Sequence, residues 1–263
     1  MKRAWILALL SGCATAHATP APLTLTYFGV AGWSISDGRH TVLVDPYFSR
    51  PADIEHALPD EAAIAAHSPS HADVILIGHA HIDHALDAPL VALRTGATLI
   101  AGSAVTAKAQ TAGLDPARIR VAKPNQTYAF DGLSIRAIPS LHSLIGAGQD
   151  VETFAYLIRI ANREILVFDT ANFIPSALTH IHPDIAIIAT GLREKVPNYS
   201  CRLMRILNRP RQILPTHFDA WRSPPSTPLT PDDRADLQQF AAEIQHCAST
   251  TVTIPTPFTP LTL

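Results

Sequence analysis

The sequence carries no excess of positive charge. Its 263 residues include 20 Lys and Arg against 22 Asp and Glu, giving a formal net charge of −2 at pH 7, and no stretch is rich in Lys or Arg. A protein that binds the phosphate backbone of nucleic acid needs a clustered basic surface. We therefore expect no nucleic-acid partner for this chain.

Cysteine is also scarce, with three residues in the whole chain. They show no spacing pattern of the kind that marks a disulfide framework. We expect Cys201 and Cys247 to be independent buried thiols without a catalytic role, although an oxidising compartment would let them pair if the geometry allowed.

The apolar run at the amino terminus is too short to be a permanent membrane anchor. Lys2 and Arg3 precede the apolar residues Ala4–Leu10, and small residues follow, which is the order of a bacterial secretory signal peptide. A membrane-spanning helix needs about 20 apolar residues. We expect a periplasmic or secreted protein without a membrane span.

Two cleavage sites are compatible with this segment. Ala16–Ala18 form an Ala-x-Ala site, while Leu10–Cys13 resemble a lipobox that would leave a lipid anchor on Cys13. We favour the first site, because the twelve residues before Cys13 are short for a lipoprotein signal. The predicted division is a signal peptide at 1–18 and a single domain at 19–263, since no linker long enough to separate two domains follows.

A dense cluster of histidines follows one apolar run. Residues 79–84 read His-Ala-His-Ile-Asp-His directly after Val74–Ile77. Neutral imidazole is a strong ligand for Zn²⁺, and two imidazoles two residues apart at the mouth of a strand can face one ion while the Asp-His pair points to a neighbouring position. Without a cation, this turn would crowd partly cationic imidazoles together. The turn therefore indicates a site for two metal ions.

Three further candidate ligands stand where predicted strands stop. They are His142 after 133–138, Asp169 after 164–168 and His217 after 211–216. His180 and His182 repeat the two-residue spacing, but they precede the strand at 185–188 instead of following one. We expect those two histidines to lie on the surface.

This order of residues resembles the metallo-β-lactamase fold superfamily, whose members carry a His-x-His-x-Asp-His motif followed by a separate His, Asp and His. The resemblance covers nearly the whole mature chain. It implies that one metal is bound by His79, His81 and His142, that a second is bound by Asp83, His84 and His217, and that both are bridged by Asp169. It also implies that Asp45 holds the ligand turn without itself binding metal.

The resemblance implies an α/β fold, namely a four-layer αββα sandwich built from two similar halves, with the metals at one edge of the sheets. Periodicity alone predicts only mixed α and β structure. It places strands at 23–28, 33–36, 41–44, 74–77, 98–100, 126–130, 133–138, 154–160, 165–168, 185–188 and 213–214, and helices at 60–66, 88–94, 104–112, 201–207 and 231–246.

The implied ligands suit hydrolysis. Two Zn²⁺ ions would lower the pKa of a shared water toward neutrality and polarise the bond to be broken. Asp83 is the candidate catalytic residue, because it would orient this water and accept its proton. No Ser or Cys nucleophile is needed, and Mn²⁺ or Fe²⁺ can occupy similar His and Asp ligand sets.

The substrate is indicated only broadly. Tyr27–Trp33 and Leu43–Pro46 are most similar to the branch that contains ascorbate-6-phosphate lactonase and N-acyl-phosphatidylethanolamine phospholipase-like proteins. This branch implies a small-molecule lactone, other carboxylic ester or phosphodiester, with esters and lactones ahead. A β-lactamase, a mononuclear iron sulfur dioxygenase and a non-catalytic metal-binding protein on the same fold remain alternatives.

Overall fold

The computed structural model describes residues 22–142 and 151–263. The predicted signal peptide, both cleavage sites and the lipid anchor at Cys13 lie outside the described residues. Among the helices within the described ranges, none combines the length and the apolar character needed to cross a membrane.

The described residues form fourteen strands and seven α-helices. The strands are β1 (Thr24–Gly29), β2 (Gly32–Ser36), β3 (Thr41–Val44), β4 (Val74–Leu76), β5 (Thr98–Ala101), β6 (Ile119–Val121), β7 (Thr127–Phe130), β8 (Leu133–Pro139), β9 (Phe154–Ile160), β10 (Arg163–Phe168), β11 (Ile185–Ala189), β12 (Gln212–Thr216), β13 (Thr251–Val252) and β14 (Pro260–Thr262). The helices are α1 (Glu61–His67), α2 (Ile82–Ala85), α3 (Ala88–Thr95), α4 (Ser103–Thr111), α5 (Pro175–Leu178), α6 (Tyr199–Ile206) and α7 (Pro231–Cys247), with 3₁₀ turns at Pro116–Arg118 and Arg193–Lys195.

The strands form two seven-stranded sheets that are built in the same way. The first has the order β14-β1-β2-β3-β4-β5-β6, and the second has the order β13-β12-β11-β10-β9-β8-β7. In each sheet the chain lays an antiparallel meander, β1–β3 or β7–β10, and then adds parallel strands, β4–β6 or β11–β13. The two halves are therefore similar, and β14 returns antiparallel to β1.

Three apolar clusters hold the layers together. The first lies between the sheets and contains Trp33 and Ile35 of β2 together with Tyr156 and Ile158 of β9. The second packs the outer face of the second sheet against α5, α6 and α7. The third packs the outer face of the first sheet against α1, α3 and α4. The four-layer αββα sandwich is thus confirmed.

Every predicted strand and helix is found, with ends that differ by at most two residues. Three strands were not predicted, namely β6, β13 and β14, which lie at sheet edges and have mostly exposed residues. Such short strands carry no alternation of buried and exposed side chains, so the sequence has no signal for them. The short helices α2 and α5 span four residues each, which is too few for helical periodicity to show.

The expectation that the two downstream cysteines are independent thiols is wrong. Cys201 on α6 and Cys247 on α7 form a disulfide, with their Cα atoms 5.1 Å apart. The two helices pack side by side in the cluster on the outer face of the second sheet, which brings together cysteines that are 46 residues apart in sequence. Sequence spacing contains no information about this helix pairing, so the disulfide had no signal in the chain.

Replacing both cysteines with serine will lower the free energy of unfolding by about 4 kcal/mol, because the crosslink restricts the unfolded chain over a long loop. Urea unfolding of the oxidised protein and of the double variant measures the difference. Reduced wild-type protein is the matched control, and it should lose a similar amount. Two titratable thiols in the oxidised protein, with unchanged stability of the variant, would contradict the pairing.

Candidate metal centre

The histidine-rich turn begins where the first sheet approaches the second. Gly78 follows β4, and a Cβ atom at this position would lie 1.8 Å from Oδ2 of Asp169, so only glycine fits here. The Gly78 carbonyl accepts a hydrogen bond of 2.8 Å from the backbone amide of Phe154 at the start of β9. The ligand turn is therefore fixed directly to the second sheet.

A single helical turn then aims the ligand side chains. His81 is the N-cap residue of α2, and its carbonyl accepts hydrogen bonds from the amides of His84 at 3.2 Å and Ala85 at 2.9 Å. His84 is buried, while His81 and Asp83 are half-buried at the cavity. The short helix thus presents a buried ligand and two accessible ones on one side.

The remaining predicted ligands reach the same cavity from the second sheet. His142 lies three residues beyond the end of β8, Asp169 directly follows β10, and His217 directly follows β12. All seven predicted ligands line this cavity, namely His79, His81, Asp83, His84, His142, Asp169 and His217. His180 and His182 are exposed, as expected.

The cavity contains three groups of side chains whose ligand atoms lie within 4.8 Å of one another. The groups are His79 with His81 and His142, Asp83 with His84 and His217, and Asp169 with His79 and His84. The first two groups are the two ligand sets that the resemblance implies. The third joins Asp169 to one histidine of each set.

Distances within the second set and the bridge are short. Oδ2 of Asp83 lies 3.2 Å from Nε2 of His217 and 3.7 Å from Nε2 of His84. Oδ2 of Asp169 lies 3.3 Å from Nδ1 of His84 and 3.6 Å from Nδ1 of His79. The donor atoms are therefore gathered in one small region of the cavity.

Asp45 holds the turn from behind. Its Oδ1 accepts a hydrogen bond of 2.9 Å from the Gly78 amide, and its Oδ2 lies 2.9 Å from Nδ1 of His84. Asp45 is fully buried and adopts a left-handed backbone with φ of 41°. One carboxylate thus fixes both the start of the ligand turn and the orientation of an imidazole within it.

Burial sets the protonation of two histidines. Burial, followed by the charge of His84, lowers the pKa of His79 to about 3. Burial, followed by the charge of His81, lowers the pKa of His142 to about 4. Both imidazoles are therefore neutral near pH 7, which is the form that binds metal.

The carboxylates of Asp83 and Asp169 are held in their ionised form. Although burial raises the pKa of Asp83, the charge of His84 and a hydrogen bond with His217 hold it well below its usual range. Burial also raises the pKa of Asp169, but the adjacent imidazoles of His79 and His84 keep it well below the usual value. The ionised oxygens of Asp83 and Asp169 and the neutral imidazoles of His79 and His142 are donors suited to a divalent cation.

Three buried polar atoms in the cavity have no hydrogen-bond partner among the described residues, namely Nδ1 of His79, Nδ1 of His142 and Oδ2 of Asp169. A buried polar atom without a partner is costly, so several of them in one place call for a ligand. Metal ions would satisfy these atoms, and the nitrogen and oxygen donors fit zinc. The described residues therefore fit a metal centre.

A family model described as the beta-lactamase superfamily domain matches residues 24–217. The chain belongs to the beta-lactamase superfamily. It is similar to a UPF0173 metal-dependent hydrolase from Polynucleobacter asymbioticus, with 25% identity over 81% of this chain and 78% of that protein. The expected superfamily is confirmed, with relatives named metal-dependent hydrolases, and the branch within the superfamily stays a prediction.

Solved structures with this fold include two that cover most of the chain. Igni18, a metallo hydrolase from Ignicoccus hospitalis, has a TM-score of 0.67 and 18% identity over 92% of this chain and 98% of its own. CmlA, a diiron β-hydroxylase from Streptomyces venezuelae, has a TM-score of 0.65 and 16% identity over 93% of this chain and 54% of its own. Both likenesses concern the fold.

In this member of the beta-lactamase superfamily, a backbone carbonyl near β1 positions His217. The carbonyl of Val30 accepts hydrogen bonds from the His217 amide at 2.5 Å and from Oγ1 of Thr216 at 2.8 Å, and it lies 3.0 Å from the Tyr27 hydroxyl oxygen. Val30 has a φ of 54°, which turns this carbonyl toward the second sheet. The turn between β1 and β2 therefore holds the last ligand in place.

Asp219 completes this support and was missed by sequence reasoning. Its Oδ1 accepts hydrogen bonds from the Val30 amide at 2.8 Å and from the Tyr27 hydroxyl. The only feature of the sequence that could have indicated a role for Asp219 is its position two residues after His217. A lone acidic residue in a loop is common, so this spacing by itself indicates nothing.

Replacing Asp45 with asparagine will weaken metal binding roughly 10- to 100-fold, since outer contacts of this kind tune metal affinity by such factors. Asparagine has one acceptor oxygen, which cannot accept from both the Gly78 amide and His84. Competition with a chromogenic chelator measures the affinity.

The matched control is Asp37→Asn, because Asp37 is a largely buried carboxylate that contacts the His40 amide after the far end of β2. It should leave metal affinity unchanged. Equal affinities for the Asp45 variant and the wild type would show that Asp45 does not support the centre.

Proposed function

We propose that this chain is an exported dinuclear zinc hydrolase that cleaves carboxylic esters or lactones. The observation that supports this proposal is the pair of ligand groups joined through Asp169. A carboxylate shared between two groups is the arrangement needed for two metals to act on one water.

The chemistry is divided between the metals and one side chain. Bound zinc ions supply a water of lowered pKa and polarise the substrate carbonyl. Asp83 keeps its carboxylate ionised next to His217, and its side chain is 14% exposed at the cavity. From there it orients the attacking water and accepts its proton.

The cavity lining favours an uncharged substrate. Within the described part of the chain, the residues that line the cavity include no Lys or Arg. The sequence of 143–150, which follows His142, also contains no Lys or Arg. Phosphodiesters and β-lactams carry an anionic group that a neighbouring cationic side chain would bind, so a neutral ester or lactone suits this lining better.

Two alternatives are less well supported by the arrangement of ligands. A β-lactamase of this fold lacks a carboxylate at the position of Asp169, which would bridge the two metals of the proposed centre. A mononuclear iron dioxygenase would leave His217 without a metal to bind. In this structure Nε2 of His217 lies 3.2 Å from Oδ2 of Asp83, which argues against such a site. A diiron occupant, as the name of CmlA states for that protein, is tested by metal analysis of the purified chain.

The disulfide supports export. Disulfides form and persist in the bacterial periplasm and outside the cell, and they are rare in the cytosol. The bond between Cys201 and Cys247 therefore agrees with the signal peptide predicted at 1–18. Cell fractionation with amino-terminal sequencing of the mature chain tests the compartment and the cleavage site together.

Metal-loaded protein will hydrolyse esters or lactones in a panel that also contains a phosphodiester and nitrocefin. A chelator will abolish the activity and added Zn²⁺ will restore it, because the nucleophile depends on the metal. His81→Ala is the control for contaminating esterases, since it removes a ligand. Two bound metals without turnover of any panel member would instead favour a non-catalytic binding protein.

Replacing Asp83 with asparagine will lower kcat by about 10²- to 10⁴-fold, the usual contribution of a positioned acid or base. The metal content will fall less, because His84 and His217 remain in the second ligand set and asparagine keeps one oxygen. Metal analysis and steady-state kinetics on the same sample separate the two effects. A loss of activity that merely parallels a loss of metal would contradict a catalytic role.

A further inference from the structure

One segment of the cavity wall is apolar. Ala189 at the end of β11, with Gly191 and Leu192 just after it, lines the cavity together with Ala171 from the segment that follows Asp169. Leu192 is 49% exposed, so a large part of its apolar side chain faces solvent where the cavity opens. This is the largest apolar side chain in the described lining.

The backbone of Leu192 is strained. Its φ of 64° and ψ of 10° lie in the left-handed region, where leucine is disfavoured and asparagine or glycine is preferred. Strain of this kind persists when the surrounding structure fixes the backbone, and it is concentrated at functional sites. The turn itself does not need a leucine side chain.

The neighbouring Arg193 fixes this backbone. Its side chain is 4% exposed and lies 2.6 Å from Oδ2 of Asp236 and 3.3 Å from Oε2 of Glu243, both on α7. It also donates to the Thr190 carbonyl at 3.3 Å. Residues on both sides of Leu192 are thus tied to a buried guanidinium.

The other side of the segment rests against a ligand. A Cβ atom at Gly191 would lie 3.1 Å from the carbonyl oxygen of His217. The Thr190 amide donates to the Thr216 carbonyl at 3.0 Å. Leu192 therefore has a fixed position relative to His217. Under the proposed function, the bond to be cleaved lies next to His217, so Leu192 is fixed relative to that bond as well.

We infer that Leu192 contacts the substrate and selects esters or lactones with an apolar acyl group. This inference rests on the proposed hydrolase function and adds the acyl preference to it. An exposed leucine held beside a cavity gains from covering its surface with apolar groups of a substrate. Each methylene that it covers raises kcat/KM by roughly fourfold.

The test uses Leu192→Asn, which removes the apolar surface and suits the backbone, because asparagine tolerates the left-handed region. The substrates are the p-nitrophenyl esters of acetate, butyrate and hexanoate. For the wild type, kcat/KM rises along this series. For the variant the rise is lost, with at least tenfold lower kcat/KM for the hexanoate ester and less than threefold change for the acetate ester.

Thermal unfolding and metal content distinguish a binding role from a structural one. The variant should keep its two metals and unfold at the same temperature as the wild type or higher. Leu93→Asn is the matched control, since Leu93 is 39% exposed on α3 outside the cavity lining. It should leave the chain-length profile unchanged.

The outcomes separate the two proposals. If the wild type hydrolyses no ester or lactone, the proposed function fails and this inference fails with it. If the wild type prefers longer acyl chains and the Leu192 variant keeps that preference, the inference alone is overturned. A variant that loses metal or stability in proportion to activity also overturns it, because Leu192 would then support the fold.

Discussion

His84 lies between two buried carboxylates, one from each half of the sandwich. Its Nδ1 is 2.9 Å from Oδ2 of Asp45 and 3.3 Å from Oδ2 of Asp169. Removing charged groups from water costs several kcal/mol per ion unless other charges and hydrogen bonds compensate. Burial lowers the pKa of His84, but Asp83 and Asp45 raise it well above its ordinary value. The surrounding carboxylates therefore favour a positive charge at this position. Divalent cations would compensate the negative charge of the carboxylates in the whole cavity.

The sandwich makes this contact possible, because both halves are built alike. Parallel strands end at the same edge of a sheet, so the ligands after β10 and β12 meet at one edge of the second sheet. The ligand turn after β4 of the first sheet reaches the same edge, where the Gly78 carbonyl accepts a hydrogen bond from the Phe154 amide. Backbone contacts then set the fine position of the ligands. The Phe154 amide holds Gly78 from one direction, and the Val30 carbonyl holds His217 from another. Backbone contacts from both halves of the sandwich therefore hold the centre.

Most of the fold, and the side chains that meet in the cavity, could be predicted from the sequence for a physical reason. Buried strands such as β4 and β11 leave continuous apolar runs, and a polar ligand directly after such a run stands out. The histidine-rich turn is so dense that it indicates a metal by itself. His142 was harder to place, because it stands three residues beyond its strand and not directly at its end.

The remaining features depend on distances that no local pattern records. Cys201 and Cys247 pair because two helices pack together. Asp219 acts through the Val30 amide, and its partner is 189 residues away. The left-handed backbone of Leu192 comes from its neighbours, since nothing in leucine itself favours that conformation. Each of these features depends on tertiary structure, so none of them could be predicted from the sequence.

Anomalous diffraction at the zinc edge, on crystals of the zinc-loaded protein, tests the central claim most directly. The account predicts two peaks about 3.5–4 Å apart, as in other two-metal sites. His79, His81 and His142 should surround one peak, Asp83, His84 and His217 should surround the other, and Asp169 should touch both. A single peak, or two peaks that share no carboxylate, would contradict it.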